Sequence, residues 1–201
     1  DIERAIFFSQ KIATTSKGQP IRQMDGLINQ VTINAAANVN TAAATTNFTQ
    51  LEALLDPVFN VTTDPKVANE RVLFVGGAAK RVLNNIGRLN GTYQLVDGQT
   101  SYGLQFSSFK TSRGTFRMIE HPMFNSNTTW ATMAVAVDLS SFNLAYLGDR
   151  KTMSSEYGVS GAAIENGIDA VGGSLTTELT CLVKNPAANA VIYGLTAAAA
   201  G

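Results

Sequence analysis

A glycine pair, Gly76-Gly77, is the first place in the sequence that could do chemistry, because it follows a short apolar run and precedes Lys80. Backbone N–H groups at the start of a helix bind anions, so a strand-to-helix turn here could hold a phosphate. The segment nevertheless matches neither the P-loop pattern nor the dinucleotide-binding pattern of glycines. Glycine also serves simply to shape such turns, and we favour that geometric role over a nucleotide site.

Two residue types that occur once each, His121 and Cys181, are the other candidates for nucleophilic or metal chemistry. His121 precedes Pro122 at the end of a predicted strand. No nucleophile elbow and no second metal-ligand motif accompany it, which favours a structural or surface histidine. Cys181 lies on the apolar side of a predicted strand with no neighbouring cation, so we predict an inert core thiol. A single cysteine also excludes an intrachain disulfide framework.

Glu165 and Asp169 are four residues apart, a spacing that places two carboxylates on one side of a helix. A general acid and base would need burial in a pocket, whereas the glycine-rich surroundings predict a solvated segment. Four N-x-[ST] sequons occur, and so many are expected by chance in a chain rich in Asn and Thr; they begin at Asn47, Asn60, Asn90 and Asn127. We therefore assign no catalytic, cofactor-binding or metal-binding residues.

The composition narrows the function classes further. The chain has 201 residues, with 15 Lys and Arg against 15 Asp and Glu, and 45% of its residues are hydrophobic. Such a chain is neither disordered nor a nucleic-acid binder held by bulk charge. The charge is divided unevenly: residues 1–65 carry a net −2, residues 66–117 a net +6 and residues 118–201 a net −4. Separated blocks of opposite charge suit a subunit that meets a neighbour's complementary surface.

Neither a targeting segment nor a membrane span is predicted. The sequence starts at Asp1 with a charged helical segment and has no apolar core of signal-peptide length. No apolar run reaches the roughly 18 residues that a membrane-spanning helix needs. The absence of an initiator Met leads us to expect a fragment or a processed product.

The first part of the chain is predicted to be mainly helical. Apolar periodicity predicts helices over residues 1–12 and 22–31. The Thr-, Asn- and Ala-rich residues 32–47 predict an exposed, mobile loop, either a plain linker or a contact with a neighbouring subunit. A capping box over residues 49–52 predicts a helix that continues to about residue 59.

A strand over Val72–Val75 then leads through the glycine pair into a predicted helix over 78–89. One side of that helix is apolar, with Ala79, Val82, Leu83 and Ile86, and the other is polar and basic. A hairpin is predicted to turn at residues 111–114. The remaining predicted elements are strands over 103–110, 115–120, 130–138, 142–147 and 174–184 and a short helix over 162–168. The fold class is therefore α+β, with helices early and a mixed or antiparallel sheet later.

The order of the later segments resembles a known family. An acidic strand, Trp130–Asp138, precedes the basic segment Asn143–Lys151. Later comes the extended segment Gly172–Lys184 with an inner Glu178, closed by the Asn185-Pro-Ala-Ala turn. This pattern resembles the major capsid proteins of tailed double-stranded DNA phages, of the type whose shell fold is named after phage Hong Kong ninety-seven. Residues 1–10 resemble the end of that family's spine helix, and residues 49–88 its axial domain.

The resemblance implies a structural protein of the virion, not an enzyme. It implies an axial domain over residues 25–140 and a peripheral domain over residues 1–24 and 141–201. The implied assembly is a homo-oligomer of pentamers and hexamers that encloses DNA without sequence-specific binding, in the capsid and, during assembly, in the host cytoplasm. Scaffolding, protease, portal or decoration proteins are the implied partners, with no membrane and no cofactor.

The same resemblance suggests contact regions, which are Arg150 with Lys151, the loop at 32–47 and the loop at 90–101. Some relatives cross-link a Lys to an Asn, but the donor loop of those relatives has no counterpart in this sequence, so we predict no such chemistry. The alternative is a nucleotide-binding or hydrolytic α/β enzyme that uses Gly76-Gly77, with a cleft lined by Lys80, Arg81 and His121. A phage decoration or tail protein is a third interpretation.

Overall fold

The structure is a computed structural model that describes residues 2–11, 18, 23–61, 64–67, 69–89, 108–146, 148, 152–157 and 172–199. Several predictions lie outside these residues. They are the loop at 90–101, the first part of the strand at 103–110, the helix at 162–168 with Glu165 and Asp169, and the basic pair Arg150 and Lys151.

Five helices and ten strands make up the described part of the chain. The helices are α1 (Ile2–Phe8), α2 (Leu27–Asn34), α3 (Phe48–Leu55), α4 (Gly77–Leu89) and α5 (Thr128–Ala131). The strands are β1 (Val39–Thr41), β2 (Glu70–Val75), β3 (Ser108–Lys110), β4 (Thr115–Glu120), β5 (Ala134–Val137), β6 (Phe142–Tyr146), β7 (Met153–Tyr157), β8 (Gly172–Thr176), β9 (Leu179–Val183) and β10 (Ala190–Tyr193).

Six of the strands form a mixed sheet in the order β1-β10-β5-β2-β4-β3. The β1–β10 and β2–β4 pairs are parallel, and the other three pairs are antiparallel. The mixed α+β class is therefore confirmed. The hairpin between β3 and β4 is confirmed as well, with its turn at residues 111–114.

Both faces of this sheet are covered, because alternate residues of a strand point to opposite sides. On one side Leu73 and Val75 pack with Val82 and Ile86 of α4, in a cluster that also includes residues of α3. On the other side Val135 and Val137 join a second cluster that includes α2 and β9. All four residues of β5 are consequently buried. The predicted helix over 78–89 is confirmed as α4, and its predicted apolar residues are the buried ones.

The other four strands form a two-stranded ribbon that leaves this sheet. The chain runs out along β6 and β7 and returns along β8 and β9, with antiparallel pairing of β6 to β9 and of β7 to β8. The described pairing of β6 with β9 ends at Tyr146 and Leu179, and that of β7 with β8 begins at Met153 and Thr176. The four strands β6 to β9 together are termed the ribbon.

The prediction that residues 32–47 form a loop is wrong, although nine of these sixteen residues are exposed as predicted. Helix α2 continues to Asn34, and β1 pairs with β10 inside the sheet. Asn38 and Thr46 are buried although they are polar. Their hydrogen bonds explain this, because Asn38 donates to backbone carbonyls and Thr46 bonds the backbone of the C-terminal segment. The buried members of this segment, Asn38, Ala42 and Thr46, therefore serve close packing rather than solvation.

Two strand predictions are wrong in their extent. The segment 130–138 begins in helix α5, whose N-cap Asn127 accepts a hydrogen bond from Thr129 N, so only Ala134–Val137 is a strand. The segment 174–184 is two strands, β8 and β9, separated at residues 177–178. This break removes Leu175 from the side that buries Cys181, and Leu175 is 77% exposed.

Two helix boundaries also differ from prediction. The capping box of α3 is formed by Asn47 and Gln50, two residues before the predicted one, and Glu52 accepts a hydrogen bond from Ser112 N instead. Helix α3 ends at Leu55 and a 3-10 turn follows to Asn60, because proline at position 57 cannot donate a helical hydrogen bond. The helix predicted over 22–31 lies at 27–34.

Candidate functional site

The Gly76-Gly77 turn is shaped by packing and is occupied by the chain itself. A Cβ on Gly76 would lie 2.4 Å from the carbonyl oxygen of Ala131, so no larger residue fits without a backbone shift. The Gly77 N–H donates to Oδ1 of Asn125 at 2.7 Å. The position at the helix N-terminus that an anion would take is therefore filled by a side-chain amide.

A carboxylate stands beside this turn and makes it still less suited to phosphate. Glu120 accepts hydrogen bonds from Lys80 Nζ at 3.1 Å and from Asn125 Nδ2 at 3.2 Å. These two bonds, with the charge of Lys80, hold the pKa of Glu120 below its ordinary value. Lys80 is thus neutralised within the chain rather than directed at a ligand, and the geometric role of the glycines is the one that the turn displays.

His121 belongs to an aromatic cluster rather than to a catalytic group. Its ring lies 5.3 Å from Phe7, 6.2 Å from Phe74 and 6.1 Å from Phe124, measured between centroids. Its Nδ1 accepts a hydrogen bond from Met123 N at 3.4 Å. Within the described residues, no three His, Cys, Asp or Glu side chains come close enough together to hold a metal ion.

Cys181 lies in the core, between β9 and helix α2. Burial raises the pKa of its thiol to about 11, with a smaller contribution from the charge of Asp25. A thiol with such a pKa is protonated at neutral pH and is a poor nucleophile. The predicted inert thiol agrees with this geometry.

A groove of about 660 Å³ runs along one end of β2 and β4. Its apolar lining includes Val72, Ile119 and Leu139, and Arg117 is one of its charged residues. Lys80, Arg81 and His121, the residues that the enzyme interpretation would bring together in a cleft, do not line it.

Arg71 is a buried cation and is only 2% exposed. Its guanidinium donates to the carbonyl oxygens of Val58 and Val61 at 3.3 and 3.1 Å and lies 5.2 Å from the Phe59 ring centroid. Burial lowers the pKa of Arg71, and the charge of buried Asp138 opposes that shift. Arg71 therefore fixes the turn after α3 against the sheet.

The ribbon carries more exposed large apolar side chains than the described strands of the sheet, where Ile119 on β4 is exposed. Leu175 is 77% exposed, Met153 51% and Leu182 46%. Leu144 and Tyr146 on β6 are also exposed. A two-stranded ribbon is marginal by itself in water, and apolar side chains on it favour a partner surface.

These features have the form of a scaffold with contact surfaces, and comparison with known proteins agrees. The sequence matches the SU10 major capsid protein family over residues 1–196. The chain belongs to this family. The resemblance to phage major capsid proteins is thereby confirmed, and the family is a structural one of the virion capsid, not one of enzymes.

A curated relative supports the same assignment. The chain is 33% identical over 205 residues to a major capsid protein of Pseudomonas phage PaMx41, a match that covers 96% of this chain and 49% of that protein. The chain thus spans about half the length of the relative that it matches.

The fold also has a counterpart among solved structures of phage particles. The chain is similar to one in a structure described as the satellite phage P4 procapsid including size determination (Sid) protein, with a TM-score of 0.50 and 14% identity. The match covers 96% of this chain and 61% of that one. At this identity the likeness concerns the fold alone.

One further property of this capsid family member follows from its helices. Across the parts of the chain that the structure describes, none of the helices is both long and apolar enough to cross a membrane.

Sequence reasoning misses the buried polar residues, above all Arg71, Asp138 and Asn189. Charged and amide residues are mostly exposed in proteins, and their types alone do not reveal burial. One signal is available for Asp138, because it directly follows the short apolar run Ala134–Val137, whose pattern is consistent with a buried strand.

Proposed function

We propose that this chain forms part of the wall of a phage head, as a subunit of a closed icosahedral shell. The observation that carries the proposal is the family match over residues 1–196. The subunit adopts the shell fold named after phage Hong Kong ninety-seven, with an axial domain near the symmetry axes and a peripheral domain away from them.

The proposed subunit has an axial and a peripheral domain. The axial domain covers residues 25–140, which include five of the six strands of the sheet and helices α2 to α5. We add residues 186–199 to it, because β10 pairs with both β1 and β5 inside the sheet. The peripheral domain is formed by residues 1–24 and by residues 141–185, which include the ribbon.

The subunits assemble as pentamers and hexamers through surfaces that the single chain leaves exposed. The apolar side chains of the ribbon, Met153, Leu175 and Leu182 among them, provide one such surface. The uneven charge provides a second contribution, because the net +6 of residues 66–117 can face the net −4 of residues 118–201 in a neighbour. Charges of this kind set register and association rate more than affinity.

The shell encloses double-stranded DNA without reading its sequence. A zero net charge suits a wall that holds its contents loosely, since tight non-specific binding needs many cations on phosphates. Scaffolding, protease, portal and decoration proteins are the partners of such a shell. The solved P4 procapsid includes a size determination protein, and a comparable partner is one of these.

The test is sedimentation of the full-length protein expressed alone and together with its neighbouring structural genes. We expect fast-sedimenting particles, or capsomer-sized oligomers in the absence of a scaffold. A protein that stays monomeric under both conditions, at concentrations where its ribbon is intact by hydrogen exchange, contradicts the proposal.

A further inference from the structure

The chain crosses between the sheet and the ribbon twice, and both crossings meet at one buried polar cluster. The outgoing crossing follows β5, and the returning crossing precedes β10. Five residues form what we term the crossing cluster: Asn38, Asp138, Ser141, Asn185 and Asn189. Asp138, Ser141 and Asn189 are between 0% and 2% exposed.

The Asn189 side chain bonds both crossings at once. Its Oδ1 accepts a hydrogen bond from Asp138 N at 2.9 Å, on the outgoing crossing. Its Nδ2 donates to Ser141 Oγ at 3.3 Å and to the carbonyl oxygen of Asn185 at 2.9 Å, which lies on the returning crossing. A single amide therefore ties the two chain segments at the base of the ribbon.

Other members of the cluster complete this tie. Asn38, next to β1, donates to the carbonyl oxygens of Ala187 and Asn189 at 2.8 and 3.0 Å. Ser141 Oγ donates to the carbonyl oxygen of Asp138 at 2.8 Å, and Ser141 O accepts from Lys184 N at 2.8 Å. The cluster thus joins the edge of the sheet to both strands of the ribbon.

A second anchor lies on helix α2. Gln30 Nε2 donates to the carbonyl oxygen of Cys181 at 2.9 Å, and Gln30 Oε1 accepts from Val183 N at 3.1 Å. These two bonds satisfy the open edge of β9 where it enters the crossing. The base of the ribbon is therefore held from two sides, by α2 and by the crossing cluster.

A buried polar network is a costly way to fill a core, because each group must keep its hydrogen bonds. Its hydrogen bonds are directional, however, and apolar contacts are not. We propose that Asn189 is a positioning residue that fixes the angle at which the ribbon leaves the sheet. This rests on the proposed shell function, because the angle then sets how a subunit's ribbon meets its neighbours and so the curvature of the shell.

The variants that test this are Asn189→Ala and the milder Ser141→Ala, compared with Leu83→Ala. Asn189→Ala removes both hydrogen bonds that the Asn189 side chain makes to the outgoing crossing, whereas Ser141→Ala removes one of these two and one bond within the outgoing crossing. Leu83 is buried on α4 in the apolar cluster with β2 and is not a member of the crossing cluster, so Leu83→Ala lowers stability without removing any of the cluster's hydrogen bonds. Ser141→Ala keeps the test open if Asn189→Ala does not fold.

The first measurement is hydrogen exchange of the full-length, unassembled protein. We expect Asn189→Ala, and to a smaller degree Ser141→Ala, to speed exchange of the amides of β6 and β9 while β2 stays protected. We expect Leu83→Ala to speed exchange of the amides of β2 while β6 and β9 stay protected. Unchanged exchange in β6 and β9 in both Asn189→Ala and Ser141→Ala overturns the proposal. This measurement can be interpreted even if the protein forms no shell.

The second measurement is the diameter of assembled particles by electron microscopy. We expect Asn189→Ala to broaden the diameters or give open and tubular forms, and Leu83→Ala to give fewer particles of normal diameter. Normal diameters for both tie variants mean that the cluster only stabilises the fold, which overturns the proposal. If the unaltered protein forms no particles, the shell function fails instead, and the exchange measurement decides on the tie.

Discussion

The six-stranded sheet and the ribbon differ in how much of their apolar surface the rest of the chain covers. The sheet has helices on both faces, and β5 at its centre is buried throughout. The ribbon consists of two pairs of strands, β6 with β9 and β7 with β8, and keeps Met153, Leu175 and Leu182 exposed. The apolar faces of the sheet are therefore covered within one chain, whereas those of the ribbon would be covered by a neighbouring subunit. This division is what a subunit needs if it must fold first and assemble afterwards.

The largest expected effect compares one leucine in each region. Leu73 on β2 is fully buried, so Leu73→Ala should lower the free energy of unfolding by about 2–5 kcal/mol. Leu182 on β9 is exposed, and the same change there should alter it by about 0.5 kcal/mol or less. Chemical denaturation of the two variants measures both. Similar losses at both sites would mean that the ribbon is as self-sufficient as the sheet.

Within the sheet region, the two glycines of the Gly76-Gly77 turn are expected to differ in how well they tolerate a larger side chain. Gly76→Ala places a Cβ 2.4 Å from a backbone carbonyl of α5, and we expect a loss of about 1–3 kcal/mol. Gly77→Ala is the matched control, because its Cβ would meet only side-chain atoms, the nearest at 3.1 Å. Thermal unfolding should rank Gly76→Ala well below Gly77→Ala. The opposite rank would mean that the turn is shaped by something other than contact with α5.

A third prediction separates stability from assembly. Leu175→Ser removes the most exposed large apolar side chain of the ribbon, so the free energy of unfolding should stay within about 0.5 kcal/mol of the unaltered value. Assembly of the full-length protein should nevertheless weaken, seen as a higher concentration needed for particles in sedimentation. Ile33→Ser on α2 is the control, because that residue is 65% exposed but lies outside the ribbon. If the unaltered protein, Leu175→Ser and Ile33→Ser all assemble at the same concentration, Leu175 of the ribbon does not contribute to the contacts between subunits.

The smallest expected effect concerns Glu120 and pH. Hydrogen bonds from Lys80 and Asn125 lower the folded-state pKa of Glu120. A lowered carboxylate pKa adds stability above the unfolded pKa, and this stability is lost as the pH falls through the folded one. Because the side chain is 38% exposed, solvent screening limits the contribution to about 0.5 kcal/mol. Denaturant titrations should therefore show that Glu120→Gln lowers the free energy of unfolding by this amount at pH 7 and leaves it unchanged at pH 2. A cost that persists at pH 2 would assign the effect to the altered side chain rather than to its charge.

The sequence predicts elements well where one residue pattern decides them. Helix α4 follows from the spacing of its apolar residues, and the β3–β4 hairpin follows from its turn. It fails where a distant strand decides the environment. The composition of residues 32–47 is typical of an exposed loop. In the structure, however, β10, about 150 positions later, pairs with β1, and Asn38 is buried. The apolar run Ala190–Tyr193 favours a strand, but nothing local shows which strands it pairs with.

The candidate sites divide in the same way. The glycine pair and Cys181 can be assigned from their immediate neighbours, and their geometry agrees with the assignment. The crossing cluster escapes such reasoning, because its members come from separate segments of the chain and each is an ordinary polar residue in isolation. Only their shared burial and their hydrogen bonds reveal them.

The central claim is that the sheet is complete within one chain and the ribbon is completed by neighbours in a shell. Cryo-electron microscopy of particles formed by the full-length protein tests it most directly. We predict closed shells in which the apolar side chains of Met153, Leu175 and Leu182 are covered by adjacent subunits, while the sheet keeps the order β1-β10-β5-β2-β4-β3. Shells in which these three side chains face solvent, or a protein that forms no shell under any assembly condition, would contradict the claim.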